Sequence, residues 1–266
     1  MKNQRSLGLV VEGNATSSLL LRLPGIVEHL GPVKAGALRV ARRLSNFLRA
    51  GYAVSSYKDL QPARLIFLRV PDAILPRIVD ELCASELTVK DTSFVLCESW
   101  LSTASLAPLQ TRGALTATLV PVQTPRKIWF AVEGQLSAVR QVRRFLEDND
   151  ARTFELRPGT KPLYFAAQLL ATSLPIHLYT AAQQALRSAG VKGNHLHELL
   201  EEMAFEMFRS FANGVRSPSL AARAGCTAET YEDYLEFVRV RQPQVAEVLD
   251  AELSLLPRPR STRPEG

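Results

Sequence analysis

The chain has 266 residues, which allows one large domain or two ordinary ones, and 46% of them are apolar, which excludes a disordered chain. Part of the formal charge of +6 comes from residues 257–266 (PRPRSTRPEG), read as a disordered basic tail, so charge alone does not point to nucleic acid. Cys83, Cys97 and Cys226 have neither metal-ligand spacing nor an even framework, and they suit a reducing, cytoplasmic setting.

In chain order, residues 6–13 (SLGLVVEG) form an apolar run ending at glycine, as a buried parallel strand does. Residues 14–23 read as a helix that Pro24-Gly25 ends, and residues 31–35 as a second short strand. Residues 36–50 predict a helix with Val40, Leu44, Phe47 and Leu48 inward, Arg39, Arg42, Arg43 and Arg49 outward, and Gly51 as the stop. That arginine face is read as solvated, since no aromatic residues interleave with it as nucleic-acid stacking would require.

Strands are predicted at 65–70, 94–97, 115–120, 128–132 and 153–156, with helices through about 84, near 105–111 and over 136–146. This alternation argues an α/β, Rossmann-like, doubly wound parallel sheet over residues 1–158. The rest, 159–256, is read as an all-helical domain for dimerisation and substrate, with the tail beyond it.

Residues 160–190 carry no charge between Lys161 and Arg187. A helix apolar nearly all round is buried on most sides. Lys161 and Pro162 suit its first turn, Pro175 should kink it, and Gly190 should stop it. Its polar residues make it unsuited to a membrane. Asn194 can cap the next helix, whose apolar face carries Leu196, Leu199, Leu200, Met203, Met207, Phe208 and Phe211. Thr227 and Pro243 open two more. So much apolar surface on about 100 residues predicts a homodimer.

A strand followed by a glycine turn is where dinucleotides bind, because backbone N–H groups and a helix N-terminus meet the pyrophosphate there. Of the three glycine positions in that pattern only Gly13 is present; Val11 and Thr16 occupy the others, and Glu12 adds negative charge. The loop is therefore degenerate, and any dinucleotide should bind weakly. Gly13 and Asn14, with Val70 and Pro71 across the sheet, are the candidate cofactor contacts. No acid ends the second strand, whereas Lys34 and Arg39 lie near it, which favours a 2′-phosphate and hence NADP over NAD. The group His195, His197, Glu198 and Glu201 is read as the polar first turn of a helix rather than a metal site.

Several short pieces, in order, carry a family resemblance: Leu7-Gly8-Leu9-Val10, residues 65–72 (LIFLRVPD), Leu106-Ala107-Pro108-Leu109 with Gly113-Ala114, Pro121-Val122-Gln123-Thr124, Phe130 to Gly134 (FAVEG), and Lys161-Pro162-Leu163-Tyr164 leading into Ala166-Ala167. With them the chain, over about residues 6–254, resembles the two-domain family that joins a Rossmann-like domain to a helical domain of unknown function (number 2520). That family is similar to pyrroline-5-carboxylate reductase and to the 6-phosphogluconate and 3-hydroxyacid dehydrogenases. The resemblance implies an NAD(P)-linked oxidoreductase acting on a small molecule between the domains. It makes Lys161 and Ser99 the candidate catalytic residues and Gln123, Thr124 and Tyr164 the candidate substrate contacts.

The chain also departs from the family. A histidine is expected before a Ser-Gly pair after the fifth strand, and here the run is Cys97-Glu98-Ser99-Trp100. Histidines are also expected at the positions of Val120 and Phe165, and an asparagine at Ser173. These losses motivate the alternative, a catalytically inactive binding or regulatory homodimer.

Overall fold

The computed structural model describes residues 7–13, 18, 20–123, 128–214 and 228–253. The chain divides into two compact units, Met1–Phe165 and Ala166–Gly266. The first unit is an eight-stranded sheet: β1 (Leu7–Val11), β2 (Leu30–Ala35), β3 (Tyr52–Val54), β4 (Leu65–Arg69), β5 (Ser93–Cys97), β6 (Leu115–Gln123), β7 (Ile128–Gly134) and β8 (Arg152–Glu155). Their order in the sheet is β3-β2-β1-β4-β5-β6-β7-β8. The chain winds outward in both directions from the β1/β4 boundary, the switch point of a Rossmann-like α/β fold. The sheet is parallel from β3 to β6; β7 runs antiparallel to β6, and β8 parallel to β7. The expectation of a wholly parallel sheet is corrected at β7. Only four residues separate β6 from β7, too few for a crossover.

Helices cover the sheet: α1 (Pro24–His29), α2 (Leu38–Leu48), α3 (Leu75–Ala84), α4 (Ala107–Thr111) and α5 (Leu136–Glu147). Two apolar layers result. One joins Leu9, Phe67, Val95 and Leu119 to Ile26, Leu44, Val139 and Val142; the other joins Ile66, Leu68, Phe94 and Leu96 to Ile78, Leu82, Leu106 and Leu109. Each strand alternates between the layers, as the period of two requires, and burial of both faces explains the continuous apolar runs.

Three local expectations are corrected. Pro24 opens α1 rather than ending a helix, because a first-turn position needs no N–H; of the helix expected over 14–23, residues 14–17 and 19 lie outside the described set. In α2 the inward face is Ala41, Leu44 and Ser45, whereas Val40 and Phe47 are exposed. The small side chains bring the helix close to the sheet, and an apolar-face count weighted by size misses that. The short edge strand β3, Tyr52-Ala53-Val54, is an apolar run too brief to reveal it.

The second unit is helical. In place of one long kinked helix there are two, α6 (Lys161–Ala171), whose first turn belongs with the sheet, and α7 (Pro175–Ser188). Pro175 sits in the first turn of α7, so the chain breaks there instead of bending. Gly190, at φ +95°, follows the end of α7 as expected. Then come α8 (Asn194–Ala212), α9 (Ala228–Arg241) and α10 (Pro243–Leu253); Gly193, not Asn194, is the cap of α8. Within this unit α10 packs on α7 and α9, and α8 on α7. Its core is small: Leu196, Leu235, Val245 and Ala246 are buried, while Leu170, Met203, Phe205, Phe208, Phe211 and Phe237 are exposed. The expected burial of residues 160–190 is not met within one chain, where α7 has no buried residue.

Candidate functional site

The C-terminal ends of β1 and β4 lie side by side, and the turn after β1 is fixed between them. The Glu12 N–H donates to the Arg69 carbonyl at 3.1 Å. Gly13 has φ +70°, the left-handed region that glycine enters without a Cβ penalty. A Cβ there would lie 3.4 Å from Pro71 Cγ, so the glycine lets the turn close against the segment after β4. Of that segment, Val70 is buried and Pro71 exposed. The structure thus brings Gly13 and Pro71 together; Asn14 and Thr16 lie outside the described residues. Val11 is 1% exposed and packed in the core, so it belongs to the strand rather than to an open loop.

The register Val11↔Ala35 sets Glu12 beside Gly36. The carboxylate lies flat on that glycine: a Cβ at Gly36 would be 2.6 Å from Glu12 Oε1 and 2.9 Å from Oε2. Lys34 is nearby but engaged, donating to the Ala35 carbonyl at 2.7 Å with its ammonium 4.7 Å from the Tyr57 ring centre. The Tyr57 hydroxyl donates to Glu81 at 2.9 Å. Burial first, then the charges of Glu81 and Glu12, push its pKa up. Arg39 is exposed on α2. Lys34 is thus engaged and Arg39 lies out on α2, while the carboxylate of Glu12, one residue past β1, lies at the end of β2.

At the ends of β4 and β5 the polar groups are bound to one another. Arg69 Nε donates to Glu98 Oε2 at 2.6 Å, and the Ser18 hydroxyl to Glu98 Oε1 at 2.6 Å. These contacts, with the Glu98 N–H donating to Leu119 O at 2.8 Å, hold Glu98 at φ +56°, a costly conformation for a residue with a Cβ. Ser99, 1% exposed, donates to Asp72 Oδ1 at 2.6 Å and accepts from the Leu101 N–H at 3.0 Å. The Trp100 N–H donates to Asp72 Oδ2 at 3.1 Å. Asp72 is the member that the sequence reading missed; its signal was a Pro-Asp pair directly after a strand, a turn-and-cap pattern.

Lys161 opens α6 and is 1% exposed. Its ammonium donates to the Leu101 carbonyl and lies 5.8 Å from the Phe165 ring centre. Burial lowers its pKa from the ordinary 10.5 to about 8, against the opposing charges of Glu133, Asp72 and Cys97. Glu133, also 1% exposed, accepts from the Gly159 N–H at 2.9 Å through Oε1, while Oε2 is buried and bonds no described group. The Trp100 ring, 59% exposed, stacks on Phe165 with centres 4.0 Å apart. Tyr164 packs between Phe154 and Phe165, each 5.7 Å away, with its hydroxyl buried and bonded to no described group. Burial raises its pKa. Gln123 ends β6, and Thr124 lies outside the described residues.

Val120 and Phe165, where the family resemblance leads one to expect histidines, pack together with Ala131 in one apolar cluster. The third such position, Glu98, is the one paired with Arg69. The quoted motif pieces meet around Lys161: Asp72 of LIFLRVPD, Glu133 of FAVEG and the Lys161 turn itself. Gly134 of FAVEG is required, since a Cβ there would come within 2.4 Å of the Thr116 carbonyl. Among the described residues no three metal-ligating side chains cluster, and no helix is long and apolar enough to cross a membrane.

A sheet wound from a switch point, with a left-handed glycine at the end of its first strand, defines the Rossmann-like class. Residues 128–215 match the family described as Domain of unknown function (DUF2520). That segment holds FAVEG and the Lys161 turn, so the family resemblance holds on two of the pieces that suggested it. Among solved structures, BF3122 from Bacteroides fragilis, a candidate NADP oxidoreductase, is similar at 12% identity over 95% of this chain and 98% of that one, with a TM-score of 0.70. An imine reductase variant from Myxococcus stipitatus in complex with NAD+ is similar at 13% identity over 94% and 91%, TM-score 0.66. A reductive aminase from Aspergillus terreus in complex with NADPH and ethyl levulinate is similar at 14% identity over 93% and 99%, TM-score 0.59. The shared fold is therefore that of nicotinamide oxidoreductases. No curated protein matches the chain significantly.

Proposed function

We propose that this protein is a nicotinamide-dinucleotide oxidoreductase acting on a small molecule in a reducing, cytoplasmic setting. The observation that carries this reading is the turn at the switch point: Gly13, at φ +70°, closes on Pro71 at the end of the first strand, where a pyrophosphate would meet the backbone of such a fold. The dinucleotides held by the imine reductase and the reductive aminase support it as likeness of fold. In this reading Lys161 is the acid–base group, since burial brings its pKa near the working range. Tyr164 is the substrate contact, with a hydroxyl that bonds no described residue. The expectation of NADP rests on Lys34 and Arg39; with Lys34 engaged, the choice of dinucleotide turns on Glu12, taken up below.

A second reading, a catalytically inactive binding or regulatory homodimer, is favoured by one observation. The expected histidine positions have been replaced by mutually packed or paired groups, Val120 with Phe165 and Glu98 with Arg69. Titration of the purified protein with NADH and NADPH, following nucleotide fluorescence, separates the readings. Saturable binding below millimolar concentration is expected for the oxidoreductase; no binding of either nucleotide at millimolar concentration would leave only the second.

Under either reading we propose that the helical unit pairs with a second copy. Support comes from Met203, Met207 and Phe208 of α8, large apolar side chains that are all exposed in the single chain. Light scattering should give twice the chain mass at micromolar concentration; a monomer would refute the pairing.

A further inference from the structure

The acid that Rossmann-type sites hold against the adenosine ribose ordinarily ends the second strand, and here that place is Gly36. A carboxylate nevertheless stands there. It comes from Glu12, one residue past β1, and the parallel register of β1 and β2 lays it across the bare Cα of Gly36. We infer that Glu12 is the residue that selects the dinucleotide, accepting the adenosine 2′-hydroxyl and turning away a 2′-phosphate, so that the protein takes NAD(H) in preference to NADP(H). This rests on the dinucleotide reading above.

Four observations carry the assignment. The Glu12 carboxylate makes no hydrogen bond or ion pair among the described residues, so both oxygens are free to accept. Its backbone is pinned by the bond to Arg69 O, which fixes where the side chain starts. The glycine beneath it is what allows the carboxylate to lie at the end of β2; any side chain at 36 would displace it. Finally, of the two cations near the end of β2, Lys34 is bonded to the Ala35 carbonyl and set over the Tyr57 ring, and only Arg39, exposed on α2, is left to meet a phosphate. A phosphate bearing up to two charges beside a fixed carboxylate is repelled, whereas two hydroxyls are good donors to it. The rival role for Glu12 is purely local. Ala37, the cap of α2, has no side-chain bond to offer, and a nearby carboxylate would favour the start of that helix.

The test compares NADH, NADPH and 2′-deoxy-NADH on the wild-type protein and on Glu12→Gln, with far-ultraviolet circular dichroism to confirm folding. Wild type should bind NADH at least about tenfold more tightly than NADPH, a difference of about 1.4 kcal/mol. It should also lose affinity for 2′-deoxy-NADH. Glu12→Gln should bring the NADH and NADPH affinities within about threefold of each other. The inference is overturned if wild type binds NADPH as well as NADH, if the deoxy compound binds as well as NADH, or if the preference survives in a folded Glu12→Gln protein. The first two arms need no variant, so a misfolded Glu12→Gln protein cannot shield the idea. If neither nucleotide binds at millimolar concentration, the dinucleotide reading itself fails and takes the inference with it, an outcome distinct from tight but unselective binding.

Discussion

The ends of β1 and β2 and the loop after β5 face the same edge of the sheet, yet they treat their polar groups in opposite ways. At β1 and β2 a group is left without a bond: Gly13 closes its turn on Pro71, and the Glu12 carboxylate lies on Gly36 with no hydrogen bond among the described residues. After β5 the groups are closed on one another. Ser99 and Asp72 are bonded together, Glu98 is bonded by Arg69 and Ser18, and Lys161 is turned inward to Leu101. A buried polar group without a partner is costly, so a chain that withdraws such groups from ligand must pair them internally. The difference is one of bonding: the carboxylate at the end of β1 is left without a hydrogen bond among the described residues, whereas those at the ends of β4 and β5 are tied to neighbours.

The strongest way to break this comparison is to remove the carboxylate beneath the Lys161 turn. Glu133→Ala would leave the Gly159 N–H without its acceptor and the buried Lys161 ammonium without its nearest opposing charge. Loss of one partner in such an arrangement costs several kcal/mol, lowered here because the unbonded Oε2 also leaves the interior. A net destabilisation of about 2 kcal/mol is expected, and Glu133→Gln, which keeps the acceptor, should lose about half as much. Both tryptophans, Trp100 and Trp129, lie in the sheet unit, so the urea midpoint followed by tryptophan fluorescence reports on that unit alone. A Glu133→Ala midpoint equal to wild type would show that the pairing at Lys161 is incidental.

Lys161 sharpens the contrast through pH. In the folded chain it titrates at about 8, and unfolded at the ordinary 10.5. Between those values the unfolded chain holds the proton that the folded chain has released. Stability therefore rises with pH through that window, and below it the protonated amine is the less favourable buried form. Lys161→Met lacks this titration and, by filling the same space, need not disturb packing. The wild-type stability measured relative to Lys161→Met should climb by on the order of 1–3 kcal/mol from pH 8 to 10.5. Taking the difference also cancels the high-pH ionisation of Tyr57 and Tyr164, both held up by burial. Parallel curves for the two proteins would mean that the amine is solvated and the loop open.

What the sequence disclosed follows the same division. Strands buried on both faces announce themselves as apolar runs, so β1, β4, β5, β6 and β7 could be read directly. The edge strand β3 and the inward face of α2 could not, because Ala41 and Ser45 pack by being small rather than by being apolar. Lys161, Ser99 and Tyr164 were legible as candidates from the family motifs, but their bonding was not. Asp72 follows β4 and Ser99 follows β5, and only the register of the two strands brings them together. Glu12 was legible as a charge near a pyrophosphate. Its turn toward Gly36 depends on a cross-strand neighbour 24 positions away, as 36 − 12 gives, and no local pattern encodes that.

The smallest effect lies at Tyr164, whose hydroxyl the bonding among the described residues leaves out. Its ring is held by Phe154 and Phe165, and its oxygen is buried without a partner among the described residues. A hydroxyl kept from water and from any acceptor opposes folding, so deleting it costs nothing and returns part of the desolvation penalty. Tyr164→Phe keeps the ring contacts and should raise the urea midpoint of the sheet unit slightly, by the equivalent of about 0.5–1 kcal/mol. If the hydroxyl serves a ligand, the same variant should weaken binding of that ligand while leaving NADH affinity unchanged, because Tyr164 lies on the Lys161 side of the edge and not beside Gly13. A lower midpoint for Tyr164→Phe would instead mean that the hydroxyl already has an acceptor in solution.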